Sequence, residues 1–234
     1  MPAALVTGSA KGIGRALALM LADEGYDVAV HYRTSQREAE EVAREVEARG
    51  VSAVLLQADV TDAEQAAALV NEAHARLGRL DVLVNNVGDY LFTPLDELEI
   101  ADWHAMFDSN LHSTFYTCRA AVPLMRERGG RIINLGYAGA ELVAARPSIA
   151  AYSIAKTGVI LFSKALAKVE AKRGITVNVI SPGIVENSVS VPENLPMGRA
   201  ATFAELSAAA KYLISPEARY VTGVTLEVAG GWNV

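Results

Sequence analysis

The sequence predicts a single α/β domain over residues 1–234, with a seven-stranded parallel sheet covered by helices on both faces. Three observations predict it. Short apolar runs alternate with helix-period stretches along the whole chain. Most runs are continuous rather than alternating, as strands buried on both faces require. No fixed-period repeat, low-complexity tract or Pro/Ser-rich linker divides the chain.

Taken in order, the strands are expected at 3–6, 28–31, 52–56, 82–84, 132–135, 176–180 and 225–228. A helix-period segment from Arg15 to Glu24 follows the first strand. Ser35 with Glu38, and Thr61 with Glu64, have the S/T-x-x-E spacing of a capping box and are expected to open the next two helices. In the first of these, Glu40/Arg44 and Glu45/Arg49 are expected as i,i+4 ion pairs and Val42/Val46 as the apolar stripe. Two long helices are expected at 102–128 and 152–173. Between Gly183 and Gly198, with Pro192 and Pro196 inside it, a short irregular segment is expected.

Composition excludes several function classes. The chain is 51% hydrophobic and 21% charged, with a net charge of −6 and a pI near 5.3, so it lacks the basic excess that a nucleic-acid partner requires. One cysteine, Cys118, allows no intramolecular disulfide. The N-terminus has no signal-peptide pattern, and no stretch reaches about 18 unbroken apolar residues. A cytoplasmic protein with no membrane partner is expected. His31, His74, His104 and His112 lie far apart without ligand spacing, so they are read as surface or packing residues and no metal is expected.

The first strand runs directly into Thr7-Gly8-Ser9-Ala10-Lys11-Gly12-Ile13-Gly14. Glycines there permit a tight turn and a close backbone approach, and the helix that follows offers free N–H groups to a pyrophosphate. The spacing is G-x-x-x-G-x-G rather than G-x-G-x-x-G, so the turn alone leaves a purely structural role open.

Further along come Asp59-Val60, Asn85-Asn86-Val87-Gly88, Asn110, Tyr152-Ser153-Ile154-Ala155-Lys156, Ser181-Pro182-Gly183 and Gly230-Gly231. With the glycine turn, this ordered set resembles the short-chain dehydrogenase/reductase family over essentially the whole chain. Within it the set is similar to β-ketoacyl-carrier-protein reductases and pteridine reductases. The resemblance implies a doubly wound Rossmann fold that binds a nicotinamide dinucleotide, and a homotetramer formed through the two long helices. It implies that Gly8, Ser9, Lys11, Gly12, Ile13 and Gly14 cradle the dinucleotide, and that Asp59 and Val60 flank the adenine. Asn86 and Gly88 would lie by the adenosine ribose, and Pro182, Gly183 and Val185 by the nicotinamide. Asn85 to Gly88 could otherwise be only a turn, since Asn and Gly tolerate positive φ.

Tyr152 and Lys156 are four residues apart and therefore share a helix face, so the ammonium is expected to favour the ionised phenol. A phenol tuned down from its usual pKa of about 10 suits a general acid for carbonyl reduction. The resemblance adds a hydrogen bond from Lys156 to the nicotinamide ribose and a water held by Asn110. At the end of the second strand an NAD enzyme would carry Asp or Glu for the ribose 2′-hydroxyl. Here His31 is followed by Tyr32, Arg33, Thr34 and Ser35. Arg33, Thr34 and Ser35, with Lys11, suit a 2′-phosphate, which favours NADPH. The alternative is that Arg33 is a solvated loop residue and Thr34 and Ser35 only cap a helix.

One departure bears on catalysis. Family members place a carbonyl-binding serine where this chain has Tyr137, and the segment from Tyr137 to Tyr152 looks about two residues longer than usual. Tyr137 is expected at the rim of the site, either as the donor itself or as a wall beside Ser148 or a water. The leading function is an NADPH-dependent reductase of a ketone or β-ketoacyl carbonyl, small or carrier-borne. The alternatives are a pteridine reductase-like enzyme and a nucleotide-sensing module with weak catalysis.

Overall fold

The computed structural model describes residues 1–142 and 144–232. Seven strands form one parallel sheet: β1 (Ala3–Val6), β2 (Asp27–Tyr32), β3 (Ala53–Gln57), β4 (Val82–Asn85), β5 (Gly130–Leu135), β6 (Ile175–Pro182) and β7 (Thr225–Val228). Their order is β3-β2-β1-β4-β5-β6-β7, with every neighbouring pair parallel. Each expected strand is present within two residues of its expected ends. Burial on both faces left the apolar runs continuous, and such runs are hard to misplace.

Successive strand residues feed opposite layers, as the two-residue period dictates. Val82 and Val84 pack with Leu17 and Leu21 of α1 (Gly12–Asp23), Val42 and Val46 of α2 (Gln36–Glu47) and Leu206 of α7 (Phe203–Ile214). Leu83 between them faces the other way. It packs with Leu69 and Val70 of α3 (Ala63–Leu77), Cys118 and Val122 of α5 (Ser113–Met125) and Ala167 of α6 (Ala150–Glu170). Cys118 is fully buried, and desolvation pushes its thiol up to about 12, so it is an inert packing group.

The helix starts differ from expectation. Helix α1 begins at Gly12, three residues before the apolar periodicity becomes visible. Neither predicted capping box forms. Glu38 turns away from Ser35 to pair with Lys11 at 2.6 Å. Helix α3 is capped by Asp62, which accepts from the Glu64 and Gln65 N–H groups, while Thr61 donates to Asp59. A capping box does form at Thr202 and Glu205, at the start of α7. The expected ion pairs Glu40/Arg44 and Glu45/Arg49 of α2 do not form, although Arg37 and Glu41 pair at i,i+4. Glu45 receives Arg15 at 2.7 Å, Arg49 reaches Asp23 at 2.8 Å, and Glu40 accepts from Gln36. A long-range partner held by packing displaces an i,i+4 partner that gains only a few tenths of a kcal/mol.

The predicted helix at 102–128 is α4 (Ile100–Phe107) joined to α5 through one π turn, Asp108–His112. Helix α6 follows a 3₁₀ turn, Pro147–Ile149, and is long and apolar enough to cross a membrane. Here its apolar residues cover β6. Between Gly183 and Gly198 the chain makes only turns and one bridge, Val185 to Ala201, matching the expected irregular segment.

Candidate active site

The sheet order reverses direction between β1 and β4, and the crevice beyond the carboxyl ends of the strands opens there. Thr7 follows directly on β1 and is buried. Its Oγ1 accepts from the Asn86 and Val87 N–H groups, while the Asn86 amide donates to the carbonyls of Thr7 and Gly8. Asn86 is therefore a brace that ties the turn after β4 to the turn after β1. Gly8 has φ +62° and Gly12 φ +55°. A Cβ at Gly14 would lie 2.3 Å from the Gly8 carbonyl oxygen, so helix α1 enters the turn closely enough that only glycine fits.

Ser9 of the cradle turns inward, and His31, expected as a surface or packing residue, supports the turn. Ser9 is fully buried, and its hydroxyl accepts from the His31 N–H at 2.9 Å, so the side chain faces β2 rather than the crevice. His31 is buried beneath the turn. Its Nδ1 accepts from the Gly8 N–H at 2.9 Å, which leaves Nε2 to donate to the Ala58 carbonyl at 3.1 Å. Desolvation lowers its pKa to about 4, so the ring is neutral and both bonds persist at ordinary pH. A histidine inside an apolar strand was the available signal, and it reads as packing until its two partners are seen.

Gly8, Lys11, Tyr32, Arg33, Thr34, Ser35, Asp59 and Val60 line one cavity of about 210 Å³. The tertiary fold thus gathers three separate sequence segments at the adenosine end of the crevice. Both expected phosphate-facing cations carry a carboxylate partner there: Lys11 is paired with Glu38, and Arg33 lies 3.7 Å from Asp59. The glycine cradle that a Cβ would fill, and this cavity at its end, fit a dinucleotide.

The second group of residues surrounds the ends of β4 and β5. The π turn sets Asn110 inward, a common use of such a turn at functional sites. The Asn110 amide donates to the carbonyls of Asp89 and Met106, at 3.0 and 2.9 Å, which leaves its buried Oδ1 without a partner among the described residues. A Cβ at Gly88 would stand 2.4 Å from that oxygen and 3.0 Å from the Lys156 Nζ, so the missing side chain at Gly88 is what lets the two groups converge. Lys156 is buried and donates to the Leu135 carbonyl at 2.7 Å, and burial lowers its pKa to about 8.

Tyr152 does sit on the same face of α6 as Lys156, whose Nζ is 6.0 Å from its ring centroid. The expected electrostatic effect is nevertheless overturned in this state. Burial, and then the neighbouring phenols Tyr137 and Tyr90, push the Tyr152 hydroxyl above its ordinary range. The ammonium is turned down onto the sheet, and desolvation outweighs it.

Tyr137 lies at the rim, half-buried, with its ring 5.3 Å from that of Tyr152 and inclined by 51°. The ring thus packs against that of Tyr152. Tyr90, four residues past Asn86, closes the other side of Tyr152 edge-on at 5.0 Å. No motif marks Tyr90 in the sequence; only its position after a strand end at the crevice does. Ser148 lies in the 3₁₀ turn before α6, and its carbonyl accepts from the Thr93 N–H.

On the far side, Pro182 accepts from the Ala138 N–H, Gly183 abuts Ala229, and Val185 is buried against Ala201. The irregular segment then brings the Asn187 amide over the glycine turn, 3.1 Å from where a Cβ of Gly12 would be. Sequence analysis missed Asn187, because nothing local distinguishes it from a loop residue.

A family model described as enoyl-(acyl carrier protein) reductase matches residues 8–233. The 3-oxoacyl-[acyl-carrier-protein] reductase FabG of Staphylococcus aureus (strain N315) is 38% identical over 241 residues, covering 97% of this chain and 96% of that protein. The chain belongs to the short-chain dehydrogenase/reductase family. It is an oxidoreductase of that family. Its similarity extends beyond acyl reductases, since the 3beta-hydroxysteroid dehydrogenase 1 of Eggerthella lenta is 37% identical over 98% of this chain and 93% of its own. Among solved structures of the family, a blue fluorescent protein from a metagenomic library in complex with NADPH aligns with a TM-score of 0.93 and 34% identity, over 100% of this chain and 98% of that one. A dehydrogenase/reductase from Sinorhizobium meliloti 1021 aligns with a TM-score of 0.94 and 35% identity, over 100% and 95%.

Proposed function

We propose that the protein is an NADPH-dependent carbonyl reductase that converts a ketone or β-ketoacyl group to an alcohol, with Tyr152 as the proton donor. The observation that carries this reading is the convergence of Asn110 Oδ1, Lys156 Nζ and Tyr152 beyond the ends of β4 and β5. When bound, the reduced nicotinamide supplies a hydride to the carbonyl carbon. Tyr152 gives its phenolic proton to the carbonyl oxygen, and Lys156 beside it is a charged hydrogen-bond donor that holds the phenolate that remains. The unpartnered Asn110 oxygen suits a water that returns the proton. Tyr90 and Tyr137 exclude solvent from both sides of the Tyr152 ring.

NADPH is favoured by the Arg33 and Lys11 cations in one cavity and by the lack of a carboxylate at 33–35. The NADPH-bound neighbour points the same way. The substrate is a small or carrier-borne carbonyl compound, the assembly a homotetramer and the location the cytoplasm. The test is oxidation of NADPH by the purified protein with ketones, diketones, quinones, β-ketoacyl thioesters and dihydropterins. Turnover of dihydropterins alone would favour the pteridine reductase-like alternative. NADPH binding with no turnover across the panel would favour the sensing module.

A further inference from the structure

Arg146 stands in the segment between β5 and α6 that the sequence marks as extended. Its guanidinium carbon lies 5.5 Å from the Tyr137 ring centroid, and the Tyr137 ring lies against Tyr152. The side chain is partly buried, yet among the described residues it has no ion-pair partner. Its Nε is buried without a hydrogen bond, and its only hydrogen bond among the described residues is a long one, 3.4 Å from Nη2 to the Gly139 carbonyl. The acidic side chains nearby in the fold are engaged elsewhere: Glu141 pairs with Lys164, and Glu227 accepts from the Gly139 N–H at 2.9 Å. The segment is held in place, because the Thr93 N–H donates to the Ser148 carbonyl at 2.8 Å and so ties the loop after Tyr90 to the turn after Arg146.

A planar cation kept partly out of water, with donors left over and no carboxylate to neutralise it, costs free energy unless something anionic completes it. We propose that Arg146 recognises an anionic group on the substrate, and that the substrate is a carbonyl compound bearing a carboxylate a few bonds from the carbonyl. The spacing favours a small carboxylate over a carrier arm. Arg146 is one ring away from Tyr152, whereas a phosphopantetheine arm holds its phosphate much farther from its thioester. The tyrosines between the two groups give the substrate body an aromatic wall, so an aryl keto acid is the first compound to try.

The proposal rests on the carbonyl reductase reading for its substrate, but its test need not. Calorimetric titration of the NADP-loaded protein with benzoate and with benzamide is expected to show benzoate binding at least tenfold tighter. Arg146→Met is expected to abolish that difference and Arg146→Lys to restore part of it. Equal binding of the two ligands, or a preference that survives Arg146→Met, would overturn the proposal. In parallel, phenylglyoxylate and its methyl ester are compared as substrates with NADPH. For the acid, Arg146→Met should raise KM at least tenfold with little change in kcat, and the ester should be unaffected. Equal losses for both compounds would make Arg146 a packing residue only. Benzoate selectivity with no turnover of either compound or of the panel above would uphold the anion site and defeat the reductase reading.

Discussion

The ring of Tyr137 leans on the ring of Tyr152 at 5.3 Å, so the residue at the family's serine position touches the residue proposed to deliver the proton. A tyrosine hydroxyl stands several ångströms farther from the backbone than a serine hydroxyl. If the Tyr137 hydroxyl holds the substrate carbonyl, Tyr137→Phe lowers kcat and kcat/KM together by roughly 10- to 1,000-fold. An unchanged kcat would make Tyr137 a wall of the pocket. Steady-state kinetics on the best substrate of the panel decides between the two.

Tyr152→Phe keeps the ring contacts with Tyr90 and Tyr137 and removes only the proton. Turnover is expected to fall by about 10²- to 10⁴-fold while NADPH affinity, measured by fluorescence titration, stays nearly constant. Lys156→Ala should damage both quantities. Retention of most activity by the Phe variant would place the proton source elsewhere.

NADPH is expected to bind at least tenfold more tightly than NADH, a difference of about 1.4 kcal/mol. Arg33→Asp should shrink or reverse the preference. Glu38→Gln should tighten NADPH, because Glu38 is the carboxylate that a 2′-phosphate must displace from Lys11. Equal affinities of the unmodified protein for the two cofactors would overturn the assignment.

His31 predicts acid sensitivity. Its folded-state pKa is lowered from 6.5 to about 4, so below pH 6.5 the unfolded chain takes up a proton that the folded chain refuses. Stability from this group is complete above pH 6.5 and is lost as pH falls from 6.5 toward 4, by up to about 3 kcal/mol. Urea unfolding at pH 7 and pH 4.5 measures it. His31→Asn should be less stable at pH 7 and lose less between the two values. The same drop in the variant and the parent would assign the effect to other groups.

A homotetramer through α5 and α6 is expected from the apolar residues these helices leave in solvent. Ile160, Leu161, Leu166 and Val169 are apolar positions of α6. Ile160 and Leu166 join the core, while Leu161 and Val169 remain 63% exposed, with Phe115 and Ile154 beside them in the outward set. Leu161→Glu should shift light scattering at micromolar concentration from tetramer toward smaller species. A monomer in the unmodified protein would contradict the assembly.

By itself the sequence determined the sheet, because most strands are continuous apolar runs that must be covered on both sides, and it marked the glycine turn, Asn110, Tyr152 and Lys156 through an ordered motif set that resembles the family. It also marked Tyr137 as the point of departure. Only the tertiary structure decided where side chains spend their hydrogen bonds. Ser9 turns to His31, Asn86 braces Gly8, and Lys11 takes Glu38, because partners distant in sequence arrive only when the sheet forms. It also decided the state of the proton donor, since the charge on Lys156 was legible but the burial that outweighs it was not. Periodicity reports which face of an element is apolar, whereas desolvation depends on everything packed against that face.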